Sequence, residues 1–226
     1  MCFSASASFG AGAILSVIGI VSLKKVQQPS QIPFATIPLI FAAQQITEGV
    51  LWLALSNPVY SSAEIFCTNV FIFFAQVVWP VWVPFAIIKL HKKENRKWAE
   101  KVLVGVGTTV SFYLAYCLMN YEIKASILGM HISYEQVYPK VLSKYSGVLY
   151  IIATIVPPFF SKIKYMWTLG LSIFISYIVT TIFYEDYIVS VWCFFASIIS
   201  ITVAVVMNQM RSSDNTSKTI AAAVVN

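Results

Sequence analysis

Long apolar runs alternate with short polar gaps along almost the whole chain. Seven stretches approach or exceed the roughly 20 apolar residues that a helix needs to cross a bilayer. They are residues 5–23, 33–56, 64–90, 98–119, 144–161, 165–184 and 188–210. The pattern predicts an all-α, polytopic membrane protein. Residues 1–211 would form a seven-helix transmembrane domain, and residues 212–226 a disordered cytoplasmic tail.

The basic residues occupy the gaps and favour one side of the membrane. With the N-terminus outside, 12 of the 15 Lys and Arg residues fall on the cytoplasmic side, and only Lys124, Lys140 and Lys144 fall outside. Cytoplasmic loops of membrane proteins carry this excess of positive charge. We therefore expect a multi-pass protein of the bacterial inner (plasma) membrane, with its N-terminus outside and its C-terminus inside.

Prolines interrupt several of the predicted helices. A proline inside a helix removes one backbone donor, which leaves a carbonyl oxygen without its helical partner. Lipid cannot satisfy that oxygen, so neighbouring helices or water must do so. The prolines in question are Pro38, Pro80, Pro84, Pro157 and Pro158.

Composition agrees with a membrane protein that contacts lipids and excludes other classes. Hydrophobic residues make up 58% of the chain and charged residues 11%, with a mean hydropathy of +0.77. A soluble domain carries about 25% charged residues. The net charge of +6 resides in short gaps and not on a polar helix face, so we expect no nucleic-acid partner.

Sequence motifs for metal or cofactor chemistry are absent. The four cysteines form no CxxC pair, and His91 and His131 have no HxxxH or HExxH spacing and read as peripheral. The chain also lacks a P-loop, GxGxxG and GxSxG. We therefore expect neither a metal nor a cofactor, and the sequence favours a function without catalysis.

The second predicted helix contains FAAQQITEGVLWLAL, residues 41–55, with an acid near mid-membrane. A charged carboxylate there costs on the order of 2.5–3.5 kcal/mol, so Glu48 should face other helices. Gln44 and Gln45 precede it by four and three residues, and Trp52 follows by four, which places them on one face. Since no Lys or Arg lies at that depth, Glu48 should be protonated or hydrogen-bonded.

The third predicted helix adds two amides. Asn69 and Gln76 are seven residues apart and would share a face. Consecutive helices are usually neighbours, so we predict one buried polar cluster of Gln44, Glu48, Asn69 and Gln76. The cluster is either a ligand- or proton-binding site in the outer half of the bundle, or a protonated acid that ties helices together.

The one sizeable loop, residues 120–143, contains HISYEQVYPK. Ser133 followed three residues later by Gln136 fits the capping pair of a short helix. Tyr134 and Tyr138 would then share a face. Such a helix would act as a lid over the bundle or as a connector at the membrane interface.

Three segments resemble an uncharacterised bacterial family of seven-span integral membrane proteins. They are MCFSASASFGAGAIL at the N-terminus, PLIFAAQQITEGVLWLAL in the second helix and VWCFFASIIS in the last. The resemblance covers most of the membrane domain and implies an integral membrane protein, without naming an activity. The positions that it marks are Cys2, Ser4, Gln44, Gln45, Glu48 and Trp52.

Three functions follow from this reading. The favoured one is a transporter-like or small-molecule-binding protein that takes an unknown small molecule or a proton. The first alternative is a membrane-embedded enzyme acting on a lipid or a thiol-reactive substrate, with Cys2 as candidate nucleophile. The second is a sensor or assembly subunit without transport. The candidate ligand- or proton-binding residues are Glu48, Gln44, Gln45, Gln76, Asn69 and Trp52.

Overall fold

A computed structural model describes residues 4–91, 98–184 and 187–225. Within these ranges, the side chains of residues 140–144, 193–194, 196–197 and 213–225 are not described. Two features of the sequence therefore lie outside the described residues. They are the candidate nucleophile Cys2 and the basic residues Lys92, Lys93, Arg96 and Lys97.

The described chain is mostly helical. The helices are α1 (Ala5–Leu23), α2 (Ile32–Ala35), α3 (Ile37–Ser56), α4 (Glu64–Ile72), α5 (Trp79–Leu90), α6 (Trp98–Asn120), α7 (Lys140–Ile155), α8 (Pro157–Phe160), α9 (Met166–Phe183), α10 (Ile188–Phe194) and α11 (Ala196–Val225). Short 3-10 helices cover Pro29–Gln31 and Pro58–Ala63, and a π-helical segment covers Phe73–Val78. Two strands, β1 (Ile123–Leu128) and β2 (His131–Gln136), lie between α6 and α7.

Helices cover each of the seven predicted segments. Among the described residues, five helical segments are long and apolar enough to cross a membrane. They are Ala5–Leu23, Pro29–Ser56, Pro58–Leu90, Trp98–Asn120 and Met166–Phe183. A shorter apolar helix spans Tyr145–Phe160. The helical membrane-protein architecture is therefore as predicted, whereas the seven spans and the orientation stay predictions.

The chain beyond residue 211 differs from the disordered tail that the sequence predicted. Helix α11 continues to Val225. Residues 211–226 contain neither glycine nor proline, and residues 221–223 are alanines. Alanine has the strongest helix propensity, so the last part of this stretch favours a helix, although the serines and Asn215 before it do not.

The loop between α6 and α7 contains a β-hairpin and not the predicted short helix. Strands β1 and β2 pair antiparallel through all six positions. Gly129 turns the chain at φ 62, which glycine adopts without steric cost. Ile123, Ile127 and Ile132 favour strands, and this preference outweighs the capping signal of Ser133 and Gln136.

The hairpin is docked across one end of the bundle. Strand β1 contacts α3 and α4, and β2 contacts α10. Ile132 is fully buried in a cluster with Trp52 and Cys67. His131 stacks on Tyr187 with the ring centroids 4.6 Å apart and lies 5.4 Å from the Tyr184 ring. The hairpin therefore packs against three separate parts of the helical domain.

The third predicted helix contains a π-helical segment, and side chains of neighbouring helices donate to carbonyl oxygens there. Helix α4, the π-helical segment and α5 follow one another, with Pro80 in the first turn of α5. The Tyr150 hydroxyl donates to the Ala75 carbonyl at 2.6 Å, and the Ser111 hydroxyl donates to the Val77 carbonyl at 2.7 Å. Helices α7 and α6 thus supply the donors that lipid could not.

The Pro80 carbonyl has a different neighbour. Pro84 lacks the N–H that would bond this oxygen in a regular helix. Helix α6 approaches it through Gly107, where an added Cβ atom would overlap the oxygen and approach Pro84 Cγ to 3.3 Å. Glycine therefore sets how closely α5 and α6 pack.

We expect Gly107→Ala to destabilise the protein by about 1–3 kcal/mol or more, because the added methyl group forces α5 and α6 apart. Gly105 lies in the same helix, and a Cβ atom there meets nothing within 4 Å. Gly105→Ala should be neutral or stabilise by up to about 1 kcal/mol. Thermal unfolding of the two variants in detergent measures the difference, and equal effects would contradict the close approach.

Candidate functional site

A cavity of about 290 Å³ lies inside the bundle at the end covered by the hairpin. Most of its wall is apolar, with aromatic rings from several helices. The polar side chains in the wall include Gln76, Gln136, Tyr138, Ser146, Tyr150, Thr154 and Tyr177. None of its described lining residues is an Asp, Glu, Lys or Arg. The cavity therefore suits an uncharged molecule.

Gln76 is the centre of the polar part of the cavity. It lies in the π-helical segment, a distortion that often occurs at functional sites. Its Nε2 donates to Gln136 Oε1 at 2.8 Å, and the Tyr138 hydroxyl donates to its Oε1 at 3.3 Å. Burial raises the pKa of Tyr138, so its hydroxyl is a neutral donor at physiological pH. The bundle and the hairpin segment meet through these bonds.

The aromatic wall is held by ring packing and one buried hydrogen bond. Trp79 stacks on Phe41 with the centroids 3.9 Å apart, and its Nε1 donates to Gln44 Oε1 at 2.9 Å. Trp192 packs edge to face against Tyr150 and Tyr177, with centroid distances of 5.6 and 5.4 Å. Fixed rings give the cavity a defined shape.

Glu48 lies fully buried between helices and not in the cavity wall. Its Oε1 accepts a hydrogen bond from the Ser190 hydroxyl at 2.6 Å, and Gln45 Nε2 lies 3.4 Å from its Oε2. Ser190 belongs to α10, so this carboxyl joins α3 to α10. The acid is thus sheltered from lipid by its own bundle.

The residues of the predicted cluster make contacts with several different parts of the structure. Gln44 bonds Trp79, Gln45 contacts Glu48, and Gln76 bonds the hairpin segment. Asn69 lies on an exposed face, where its side chain donates to the carbonyl of its own helix at Ile65. Its assignment to the buried cluster is wrong. The π-helical segment begins after Asn69 and contains Gln76, so the helical register changes and a spacing of seven no longer keeps the two residues on one face.

Trp52 lies away from the cavity, beneath the hairpin. Its ring packs with Leu51, Cys67 and Ile132. Its Nε1 is buried and has no hydrogen-bond partner among the described residues. The Oε1 of Gln45 is buried and unpaired in the same sense. Buried polar atoms of this kind usually bind ordered water.

The family model that matches this sequence is that of the Family of unknown function (DUF6629), over residues 1–219. The chain belongs to this family. No curated protein and no solved structure matches it. The DUF6629 match extends from before α1 into α11, so it includes both the cavity and Glu48 with its partners.

Several site residues of this DUF6629 protein carried no clear signal in the sequence. Ser190 is a single serine in an apolar run, and only the fold brings it to Glu48. Gln136 and Tyr138 lie in the loop between α6 and α7. They reach the cavity wall because this loop folds into a hairpin, which the sequence pattern did not predict. Tyr150 resembles any aromatic residue of a membrane helix.

We expect Ser190→Ala to lower the stability of this DUF6629 protein by about 1–3 kcal/mol, because it leaves a buried carboxyl oxygen without this donor. The matched control is Ser176→Ala. Ser176 is also buried, but its hydroxyl donates to the Ser172 carbonyl of its own helix. Thermal unfolding in detergent compares the two, and equal losses would show that the bond to Glu48 adds no stability.

Proposed function

We propose that this protein binds a small, uncharged, amphipathic molecule in its cavity and moves it across the bacterial inner membrane. The proposal includes seven membrane spans with the N-terminus outside. The observation that carries it is the uncharged aromatic cavity with the Gln76, Gln136 and Tyr138 bonds on its wall. Its volume of about 290 Å³ is close to the lower end of ligand pockets, roughly 300–1,000 Å³.

The chemistry of the wall supports the choice of ligand. A charged molecule would lose its hydration without gaining an opposite charge, which is costly in a buried site. Apolar and aromatic side chains favour an apolar body. Amide groups such as those of Gln76 and Gln136 offer both donors and acceptors to one polar end. A phenol- or indole-like molecule combines these properties.

Glu48 supports a second part of the proposal, in which a proton drives the movement. The carboxyl lies behind the cavity wall, and α10 connects the two. Ser190 of this helix bonds Glu48, while Val189 and Trp192 line the cavity. Loss or gain of a proton at Glu48 would change its hydrogen bond to Ser190. Helix α10 would then move, together with the side chains that it contributes to the cavity wall. Glu48 would thus bind the proton and not the ligand.

The cavity can be filled at a position that tolerates a larger side chain. Gly147 lines the cavity, and a Cβ atom there meets nothing within 4 Å. We expect Gly147→Phe to abolish the increase in melting temperature that indole gives to the wild type in detergent. The matched control Gly105→Phe, on an exposed face of α6, should retain the increase.

Two charged relatives of indole test the absence of charge in the cavity. Tryptamine and indole-3-acetate have the same ring, so they should bind at least about tenfold more weakly than indole, a difference of about 1.4 kcal/mol. Equal stabilisation by all three, or an unchanged response in Gly147→Phe, would remove the cavity as the binding site.

The proton-coupled part is tested with Glu48→Gln. Glutamine keeps the acceptor oxygen for Ser190 but cannot titrate, so indole affinity should become independent of pH while binding persists. The wild type should show an indole affinity that changes with pH. Isothermal titration in buffers of different ionisation enthalpy measures the protons exchanged. A wild type that exchanges none would contradict proton coupling and leave the binding site standing.

A further inference from the structure

Three polar side chains meet at the end of the bundle opposite the hairpin. His91 follows α5, Glu100 lies in the first turn of α6, and Ser161 follows α8. His91 Nε2 is 3.1 Å from Ser161 Oγ, and His91 Nδ1 is 2.9 Å from Glu100 Oε1. Although the sequence suggested a peripheral histidine, the side chains of His91 and Glu100 are only 13% and 4% exposed.

This order of groups is that of an activated nucleophile. A neutral imidazole accepts a proton from a serine hydroxyl at one nitrogen, and a carboxylate beside the other nitrogen orients the ring and stabilises its charged form. Here the serine hydroxyl lies within hydrogen-bond distance of Nε2, and the carboxylate makes an ion-pair contact with Nδ1 that does not have hydrogen-bond geometry. The three residues come from separate segments, so the fold and not the local sequence assembles them.

The turn that contains Ser161 has further features of a reactive site. The Ile163 N–H donates to Ser161 Oγ at 3.3 Å. Tyr165, which precedes α9, has φ 66, a left-handed conformation that is unfavourable for a bulky residue. Unfavourable backbone conformations persist where the surrounding structure holds them, often at active sites.

The surroundings of this turn favour a lipid as substrate. Lys162 and Lys164 flank Ile163 and are exposed. Trp98 and Trp167 lie at the same end of the bundle with 78% and 55% of their surface exposed. Tryptophan at a helix end prefers the headgroup level of a bilayer, and basic residues there attract anionic lipids.

We propose that Ser161 and His91 are the catalytic residues of a serine esterase that cleaves a carboxylic ester of an anionic membrane lipid, with Glu100 as the residue that positions His91. This activity is independent of the cavity proposed above. It belongs to the end of the bundle where the basic residues lie, whereas the cavity lies at the hairpin end.

The proposed reaction is an acyl transfer in two steps. Ser161 Oγ attacks the ester carbonyl carbon while His91 Nε2 takes the hydroxyl proton. The bond to the alcohol oxygen then breaks, and the alcohol leaves with that proton. Water attacks the acyl-serine and gives one proton to His91, which returns it to Ser161 Oγ as the carboxylic acid leaves. Glu100 stabilises the imidazolium in both steps.

The test uses the full chain in bilayer discs of phosphatidylglycerol and phosphatidylethanolamine, with a fluorophosphonate probe that reacts with activated serines. We expect one adduct, on Ser161, located by peptide mass spectrometry. His91→Gln should slow labelling by about 10²–10⁴-fold, the usual contribution of a general base. Ser30→Ala is the control, since Ser30 is a partly buried serine at the same end of the bundle.

Glu100 is tested by the pH dependence of labelling. Glu100→Gln should slow labelling and shift its pH profile, and Glu100→Asp should restore part of the rate. The proposal is wrong if the wild type forms no adduct on Ser161, or if His91→Gln is labelled as fast as the wild type. The three residues would then only hold helix ends together. The Gly147→Phe variant should label like the wild type, which separates this outcome from failure of the cavity proposal.

Discussion

The structure depends on the hydrogen bonds made by backbone carbonyl oxygens in and beside the π-helical segment Phe73–Val78. In hydrocarbon an unpaired carbonyl costs several kcal/mol, and the prolines of α5 remove N–H donors at this depth. Tyr150 of α7 and Ser111 of α6 donate hydrogen bonds to the carbonyl oxygens of Ala75 and Val77 in this segment. These bonds require α6 and α7 to lie against the π-helical segment. The irregular segment in one helix therefore positions two other helices.

The same π-helical segment forms part of the cavity wall. A π-helical turn displaces the residues that it contains from the register of an α-helix, and here those residues include Ala75 and Gln76, which line the cavity. Tyr150 contributes twice, since its hydroxyl satisfies the backbone while its ring lies in the wall. Stability and the cavity wall therefore share one set of contacts, which limits the substitutions that either can accept.

Polarity inside the bundle is arranged in two layers. The cavity wall holds amides, phenols and hydroxyl groups, which are neutral, while the buried acid Glu48 is bonded to Ser190 behind the wall. Such an arrangement keeps the energetic penalty of a charge away from a neutral ligand. In the proposed function, the ligand would therefore be affected by Glu48 through the position of α10 and not by direct contact.

The sequence predicted the helices and the shelter of Glu48 because both follow from one strong constraint, the cost of polar groups in lipid. It could not predict the hairpin, since strand pairing depends on partners that a capping pattern does not reveal. Asn69 was misplaced because a π-helical turn is invisible in a periodicity of 3.6. Ser190 and Tyr150 reach the site only through tertiary packing, which no spacing along the chain encodes.

The two proposed sites share helix α5, which begins with Trp79 in the cavity wall and is followed by His91 at the other end. At about 1.5 Å per residue, these residues lie about 18 Å apart along the helix. Between them the Pro80 carbonyl packs on Gly107 of α6, the helix that also carries Glu100. The two helices touch there because Gly107 has no side chain. The close packing of α5 on α6 therefore links the two proposed sites through one pair of helices.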